Sequence, residues 1–519
     1  MPVKNGHHDR ASFPAIDFVL MRMKIRLWFK AGIKVYCILT AIVLACCSCR
    51  HPLPELNPAA YVSTAPGKAY EVSNEVKPDS LPAERPAGIP VELRATSGKL
   101  ALAQLVDVAL RINPSTQAAW EGARAAAAAW ASARGDYYPS ISANVDGTGG
   151  KSSETVGADQ FTGISGQADI SISYLLLDFG GRDATVEAAR QALAAANWNH
   201  NQAIQDVLRD VPQAYYTYIG DKAGLEASKI SLKEAEESLL STEQRRKAGV
   251  STIADVLQAR ANLDQVRFDL VTDIGAVEIS RGDLAASIGW PANTPFEVVD
   301  EPDALPLDRI TQDAEKLVKL ALYDRPDLAS ARANVRQRKA EFLQAEAALW
   351  PQLTATGDTG WSGYNGRVGG IDIDGNGTDY TVGLSLQIPI FEGYSLRNDV
   401  REARASLDEA RAQLRGKEVS VISDVWTAYY NLRTASQQLE TSETLLASSK
   451  ESYRVSLARY RAGAADIVEL LNAQSTLASA RAQRVSARTG LFTSYAELMH
   501  AIGAELPSAV STHPSGLTR

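Results

Sequence analysis

The sequence predicts an α+β membrane protein in which a long antiparallel coiled-coil α-helical barrel continues a transmembrane β-barrel. Two observations predict this class. First, residues 102–289 recur in changed form as residues 314–503, so the chain holds an internal two-fold repeat. Second, each copy joins two segments of alternating polarity to helical patterns far longer than those of globular domains. One duplicated architecture therefore accounts for the 519 residues better than several unrelated domains.

The repeat is carried by residues that recur at constant spacing. The offset is 212 over the first part and 214 after a two-residue insertion. The residues that recur at the first offset are Pro114, Pro139, Phe179 and Gly181, which return as Pro326, Pro351, Phe391 and Gly393. Those at the second are Tyr215, Arg245, Gly249 and Gly289, which return as Tyr429, Arg459, Gly463 and Gly503. We therefore assign residues 99–304 to the first repeat and 305–505 to the second.

Composition excludes several classes of function. The net charge of -8 disfavours a nucleic-acid partner. All four cysteines, Cys37, Cys46, Cys47 and Cys49, precede Arg50, so the body can hold no disulfide framework or cysteine metal site. The six histidines are not clustered, and no nucleophile–base pair is visible. We expect no enzyme activity, no metal and no cofactor.

The N-terminus is typical of an export signal, with a start at Met21 or Met23 and a basic stretch after it. Its apolar run is too short to span a bilayer, and it ends in Val43-Leu44-Ala45-Cys46, which resembles a bacterial lipobox. We predict a signal peptide over residues 1–45, lipidation of Cys46, an extended proline-rich linker over 46–98, and a flexible tail over 506–519. The alternatives are lipidation of Cys47 or Cys49, or an ordinary signal peptide without lipidation.

The helical patterns come in pairs. Short helices over residues 102–111 and 115–136 lead to a helix from Gly181 to Lys247, and apolar residues recur every seven positions there and in the segment that follows. Sustained heptads predict antiparallel helices packed as coiled coil, turning at Gly249 and Gly463. Pro212 lies inside the first long helix, where it costs about 3 kcal/mol or forces a kink. Its counterpart is Trp426, so the two copies should differ there.

Each repeat also predicts two strands of about ten residues, the length that crosses a bilayer when tilted. Apolar residues alternate with polar ones, most clearly at Tyr380, Val382, Leu384, Leu386 and Ile388. Between strands we expect exposed loops rich in Gly, Ser and Asp. The segment Asp372–Gly377 resembles the start of a calcium loop, but Gly383 stands where the required Glu belongs, so we expect a flexible external loop and no metal.

Four strands cannot close a barrel by themselves. Open strand edges in lipid leave backbone groups unpaired at a cost of several kcal/mol each. The chain should therefore oligomerise, and three copies with four strands each give twelve. The polar face then lines a pore, and the apolar face meets the lipid bilayer.

The two helical turns carry a family resemblance. The segments Arg245–Leu263 and Arg459–Leu477 are similar to the tip motifs of the TolC/OprM outer-membrane efflux family, over a body of about residues 99–505. The lipobox favours the lipoprotein, NodT-like branch. The resemblance implies a homotrimer, lipid-anchored in the cell outer membrane, with a periplasmic helical tunnel. It also implies a periplasmic membrane-fusion adaptor and an inner-membrane pump of the RND or ABC type, for which the chain is the passive exit duct for small molecules such as drugs.

The resemblance also assigns roles to residues. It places adaptor docking on the tips, at Gly249, Val250, Ser251, Gly463, Ala464 and Ala465. It places a periplasmic gate at Asp255 and Glu469, which become rings of charge in a trimer. Some members carry a gate arginine at the position of Ala465 and a second acid at that of Asn472, so a different opening mechanism is expected here.

Two other functions remain open. The same fold serves as the outer-membrane duct of type I protein secretion. A different class, a periplasmic coiled-coil adaptor or structural lipoprotein, would also contain long helices. Such an adaptor should carry β modules beside a single hairpin, whereas this chain has two amphipathic strand pairs in a duplicated body.

Overall fold

The computed structural model of the protein describes residues 99–152, 161–299, 313–368 and 371–504. The predicted signal peptide, the lipidation site Cys46, the linker and the C-terminal tail lie outside these residues. Within them the chain is mostly helical, with one small antiparallel sheet.

The two halves contain the same elements in the same order. The first half holds α1 (Leu102–Ile112), α2 (Pro114–Ala133), β1 (Ser140–Ser152), β2 (Phe161–Leu177), α3 (Gly181–Lys247) and α4 (Ile253–Ile288). The second holds α5 (Ala314–Asp324), α6 (Pro326–Ala347), β3 (Gln352–Val368), β4 (Ile371–Gln387), α7 (Ser395–Arg461) and α8 (Ile467–Ala501).

The long helices α3 and α7 confirm the heptad prediction. Each has 67 residues, which corresponds to about 100 Å at 1.5 Å per residue. Each ends in a Schellman motif: Gly249 and Gly463 adopt positive φ, and the next residue donates its N–H to the carbonyl five positions back. The chain then reverses into α4 or α8. The tips of the two helical hairpins therefore lie at the end farthest from the sheet.

The sheet is antiparallel, with strands in the order β1–β2–β3–β4. Its central pair, β2 and β3, joins the two halves of the chain, with Ile170 opposite Thr359. Among the described residues, β1 and β4 each have a strand on one side only. The sheet therefore has two open edges.

The strands are longer than predicted. They contain 13 residues in β1 and 17 in each of the others, rather than about ten. The expected external loop at Asp372–Gly377 is also wrong, because these residues form the first part of β4, with Asp374 opposite Asn365. Pairing depends on backbone hydrogen bonds, which glycine and aspartate do not prevent. The alternation of polar and apolar side chains therefore predicted strands that are shorter than those in the structure.

The helices lie side by side in an order that matches the order of the strands in the sheet. Next to the sheet the helices pack in the order α2, α3, α6, α7, and toward the tips in the order α4, α3, α8, α7. Side-chain hydrogen bonds mark both levels: Arg336 of α6 reaches Gln191 near the start of α3, and Arg481 of α8 reaches Glu234 near its end. We call this arrangement the four-element wall.

Two equivalent apolar cores lie at the middle of the wall. In the first, α1 covers α3 and α4 through Leu105, Tyr215 and Leu284. In the second, Leu317 of α5 packs near Val425 of α7 together with α8. Large buried apolar side chains give these regions most of the hydrophobic stabilisation, at roughly 1.5–3 kcal/mol each.

Toward the tips many buried positions are small and polar, and an apolar cluster of Tyr460, Ile467 and Leu470 lies within the second hairpin. Ser231 and Ser238 on α3 and Ser442, Ser449 and Ser456 on α7 are buried at seven-residue spacing. At Gly220 the contact between α3 and α8 is so close that an added Cβ would collide with Oγ1 of Thr489. These small residues bring the helix axes together while burying little apolar surface.

Pro212 is accommodated inside α3, which continues through it to Lys247. Pro212 is buried, whereas its counterpart Trp426 is half exposed on α7. The two halves therefore differ at this position, as expected.

Candidate functional site

One face of the sheet is polar over most of its height, with Tyr364, Ile371 and Ile373 on it only near the hairpin ends. Its cross-strand pairs include Ser142 with Ser171, whose hydroxyl oxygens are 2.7 Å apart, and Asn144, whose Nδ2 donates to Asp169 at 3.0 Å. By the strand register this face carries the acids Asp146, Asp169, Asp358 and Asp379, and no Lys or Arg of the four described strands lies on it. It is a hydrated surface of negative charge.

The opposite face is apolar and uncovered in the single chain. Val382 is 85% exposed and Leu384 71% exposed, with Ile141 and Ile172 also outward on neighbouring strands. Isolated exposed apolar residues are ordinary, but a contiguous apolar sheet face marks a surface that another apolar phase covers.

The first predicted gate acid, Asp255, caps a helix at the tip of the first hairpin. Its Oδ2 accepts from the Ser251 hydroxyl at 2.7 Å and from the Thr252 backbone N–H at 2.8 Å, while the Thr252 hydroxyl accepts from the Asp255 N–H. The Ser251 hydrogen bond, followed by that of the Thr252 N–H, holds the pKa of Asp255 below its ordinary value. The side chain therefore stays ionised and also belongs to a capping box.

The second predicted gate acid, Glu469, has different partners. It forms an ion pair with Arg459 across its own hairpin, and Oγ of Ser456 donates to it at 3.4 Å. Here Asp466 takes the capping role by accepting the N–H of Glu469 at 2.8 Å. Asp255 and Glu469 thus occupy equivalent positions in the two repeats, but Asp255 caps a helix whereas Glu469 forms an ion pair.

The structure adds a residue that sequence reasoning missed. Arg245 crosses from the first hairpin to the second, where its Nη1 donates to the backbone oxygen of Tyr460 at 2.7 Å. Its guanidinium lies 4.7 Å from the centre of the Tyr460 ring, and the hydroxyls of Thr242 and Tyr460 are 3.0 Å apart. The repeat makes Arg245 equivalent to Arg459, so the sequence marked the position but not the direction in which the side chain points.

The six residues predicted to dock an adaptor lie together at these tips. Gly249, Val250, Gly463 and Ala464 are exposed, and Ser251 and Ala465 are half-buried beside them. The contact between Arg245 and Tyr460 brings the two tips next to each other. The geometry thus presents all six residues at one end of the wall.

A charged cluster at the middle of the wall was also missed. Arg325 precedes α6, is nearly buried, and donates to Asp327 at 2.7 Å, to Asp424 of α7 at 3.1 Å and to the Ala501 carbonyl of α8 at 3.3 Å. Lys417 reaches Asp327 at 2.8 Å. The cluster ties α6, α7 and α8 together where the helix layers meet.

Asp327 should make stability depend on pH. Burial alone would raise the pKa of Asp327, but hydrogen bonds from Arg325 and Lys417 outweigh burial and lower it from 3.8 to about 2. The folded pKa is depressed, so this stabilisation of about 2 kcal/mol is present above pH 4–5 and is lost as pH falls toward 2. We expect Asp327→Asn to lower the free energy of unfolding at pH 7 by about this amount or more. Urea unfolding in detergent at a series of pH values measures it; an unchanged slope between pH 5 and pH 2 in the variant would contradict the assignment.

Two negative findings apply to the described part of the chain. No group of three or more His, Cys, Asp or Glu side chains there is placed to hold a metal ion. None of the helices there is long and apolar enough to cross a membrane.

Comparison with known proteins identifies the family. The profile of the family described as "Outer membrane efflux protein" matches residues 105–290 and 317–504, which is most of both halves. The chain belongs to the outer membrane efflux protein family. This is a family of outer-membrane channels and not of enzymes, and it favours the channel interpretation over a periplasmic adaptor or structural lipoprotein.

Two curated relatives within this efflux family illustrate the similarity. The protein CyaE of Bordetella pertussis is 28% identical over 407 residues, covering 78% of this chain and 84% of CyaE. The toluene efflux pump outer membrane protein TtgC of Pseudomonas putida is 26% identical over 419 residues, covering 78% of this chain and 83% of TtgC.

Solved structures of two outer-membrane proteins share the fold. The outer-membrane channel OprN superposes with a TM-score of 0.69 at 23% identity, covering 78% of this chain and 90% of OprN. The outer membrane protein VceC of Vibrio cholerae gives 0.67 at 22% identity, covering 78% and 96%. At these identities the likeness concerns the fold alone.

Proposed function

We propose that the protein is a passive exit duct: three copies close a twelve-stranded β-barrel in the outer membrane and a helical tunnel in the periplasm. The duct receives small molecules such as drugs from an inner-membrane pump of the RND or ABC type through a periplasmic adaptor. The adaptor docks on the hairpin tips, and a lipid on Cys46 anchors each copy.

The observation that carries this proposal is the shared lateral order of the four-element wall. The same side of the chain is open at β1, α2 and α4, and the other side is open at β4 and along α7. The wall has two different open edges along its whole length. A ring of copies pairs both of them, because one edge of each copy packs against the opposite edge of the next copy. Three copies of four strands supply twelve, an even number suited to a closed barrel.

The open edges have the composition of an interface. On α4 the exposed residues include the apolar or small Leu257, Ala261, Phe268, Gly275 and Ile279, beside charged residues such as Asp264 and Glu278. Phe268 is 69% exposed in the single chain. On α7 the corresponding edge carries Val419, Trp426 and Tyr430, also exposed. Neighbouring copies would bury these stripes, and small residues between the large ones allow close helix packing.

The polar face of the sheet suits the wall of a water-filled pore. Its four aspartates become twelve in a trimer and lower the energy of cations in the lumen. With no helix in the described residues built to cross a membrane, the exposed apolar sheet face is the surface available for lipid.

The conductance of purified trimers in planar bilayers tests the proposal. We expect stable channels whose reversal potential in a salt gradient indicates cation preference. A lipid-anchored protein that stays monomeric and passes no ions would exclude the duct. Antibiotic sensitivity of cells lacking the protein, with and without the gene restored, then tests export of drugs.

The acidic residues at the tips provide the test of the gate. We expect Asp255→Ala and Glu469→Ala each to change single-channel conductance or cation preference, because a ring of three carboxylates narrows and charges the periplasmic end. Asp466→Asn is the matched control, since it alters another acid of the tip. Unchanged values in both gate variants would remove these residues from the gate while leaving the duct intact.

A further inference from the structure

The apolar face of the sheet is apolar over only part of its height. We call the residues that lie side by side on neighbouring strands, on one face of the sheet, a rung. Beginning at the end next to the helices, the first rung contains Leu353 and Leu386 and the second contains Ala355 and Leu384. Rungs with one residue from each of the four strands follow. The four-strand rungs are Ile141–Ile172–Gly357–Val382, Ala143–Ile170–Thr359–Tyr380 and Val145–Ala168–Trp361–Thr378. The band therefore ends in two aromatic residues, Trp361 and Tyr380.

The next rung is made almost wholly of glycine. It contains Gly147, Gly166, Gly363 and Asn376. The indole of Trp361 lies over it: an added Cβ at Gly363 would be 2.6 Å from the ring, and one at Gly166 would be 4.0 Å from it. Because these glycines have no side chains, the indole of Trp361 lies close against the sheet. We call this rung the glycine shelf.

Beyond this shelf the same face is mostly polar, although its first rung still carries the exposed Ile164, opposite Asn365. Asn365 lies opposite Asp374, and Arg367 forms an ion pair with Asp372 at 2.8 Å on the last rung. Ionised side chains facing hydrocarbon are costly, by about 2–4 kcal/mol for a basic residue at mid-bilayer. These rungs are suited to water and not to lipid tails.

Aromatic side chains also mark the opposite, helical end of the band. Tyr138 precedes β1 and is exposed, and Phe179, after β2, stacks on Trp350, before β3, with ring centres 5.5 Å apart. Phe391 and Tyr394, after β4, pack edge to face at 5.4 Å. Every strand thus has an aromatic residue close to its helical end, and such girdles are enriched where membranes meet water.

The dimensions agree with this division. A strand of 17 residues spans about 54 Å, or about 42 Å in height at a tilt of about 40°, well above an apolar band of about 25 Å. The stretch from Leu353 to Trp361 spans about 27 Å along the strand, or about 21 Å in height. The hydrocarbon layer of the bilayer can therefore cover the rungs between the helical end of the sheet and Trp361, but not the whole height of the sheet.

Resting on the proposed duct function, we infer that the outer leaflet ends at Trp361 and Tyr380. The rungs from the glycine shelf to the hairpin ends stand outside the bilayer as a water-exposed β-collar around the exit. The partner of the lower band is lipid hydrocarbon, and Trp361 lies at the headgroup level.

Site-directed spin labelling in proteoliposomes tests this boundary. Single substitutions Val382→Cys and Leu384→Cys sample the band, and Asn365→Cys and Asn376→Cys sample the collar on the same face. Thr381→Cys, one residue from Val382 but on the polar face, is the matched control. A background of Cys47→Ser and Cys49→Ser removes other thiols. Collisions of each label with oxygen report lipid, and collisions with a water-soluble nickel chelate report water.

We expect labels at 382 and 384 to collide with oxygen and to lose contact with the chelate. Labels at 365 and 376 should collide with the chelate as freely as the label at 381. Oxygen-rich, chelate-free labels at 365 and 376 would overturn the collar while leaving the duct intact. Chelate access at 382 and 384 equal to that at 381 would show that this face meets no lipid, and the proposed function would fail with it.

Discussion

A Phe268→Glu substitution is expected to abolish trimer assembly. Phe268 is 69% exposed in the single chain and lies on α4, which forms an open edge of the wall, so in the proposed ring it is covered by the next copy. The change removes about 2 kcal/mol of apolar burial and adds several kcal/mol for an unpaired, desolvated carboxylate at each of the three interfaces. In electrophoresis in mild detergent, the variant should migrate as a monomer where the parent protein migrates as a trimer. The variant should also show no channel conductance in planar bilayers.

The control is Gln265→Glu, three residues earlier on the same helix. Gln265 is exposed and lines, with Phe268, a groove between α4, α3 and α8, so this variant adds the same charge beside Phe268 without removing an apolar side chain. Circular dichroism of both variants should show the helical content of the parent chain. Normal trimers of Phe268→Glu would mean that α4 is not an interface edge.

An Arg245→Ala substitution is expected to open the periplasmic end. Arg245 links the two hairpins of one copy through the Tyr460 carbonyl and ring. After the Ser251 hydrogen bond, its charge also contributes to lowering the pKa of Asp255. Near the tips the buried apolar cluster of Tyr460, Ile467 and Leu470 lies within the second hairpin. The buried residues of α3 at this level are small and mostly polar, so few apolar contacts join the two hairpins. Losing a charged hydrogen bond of about 1.5–3 kcal/mol should shift the population toward separated tips and raise single-channel conductance several-fold.

Two other arginines act as controls for this prediction. Arg246 is the exposed neighbour, and Arg246→Ala should leave conductance near that of the parent. Arg459 is the repeat equivalent of Arg245 but pairs with Glu469 inside its own hairpin. Arg459→Ala should therefore affect cation preference through Glu469 more than the separation of the hairpins. Equal conductance in Arg245→Ala and Arg246→Ala would show that the cross-hairpin contact does not hold the duct narrow.

Periodicity predicted the parts of the fold that depend on local chemistry. The helix over 181–247 was predicted to its ends, because heptads and a terminal glycine are visible in the chain. The strand ends were not, because backbone pairing carries β4 through Asp372–Gly377 whatever the polarity of those side chains. Of the tip residues, the sequence located Asp255 and Glu469, but their different partners depend on which neighbouring hydroxyl or guanidinium lies in reach.

The amino-acid sequence by itself determined the duplicated order of elements, the amphipathic strands and the family, because these are recorded in spacing and in polarity along the chain. Only the tertiary structure decided that Arg245 crosses between hairpins while Arg459 does not, and that Arg325 joins three helices. It also decided where the apolar band stops, at Trp361 and Tyr380, since a rung is defined by residues from four separate strands. Contacts between distant segments depend on register and helix packing, and identical residues in two repeats meet different neighbours once the chain is folded.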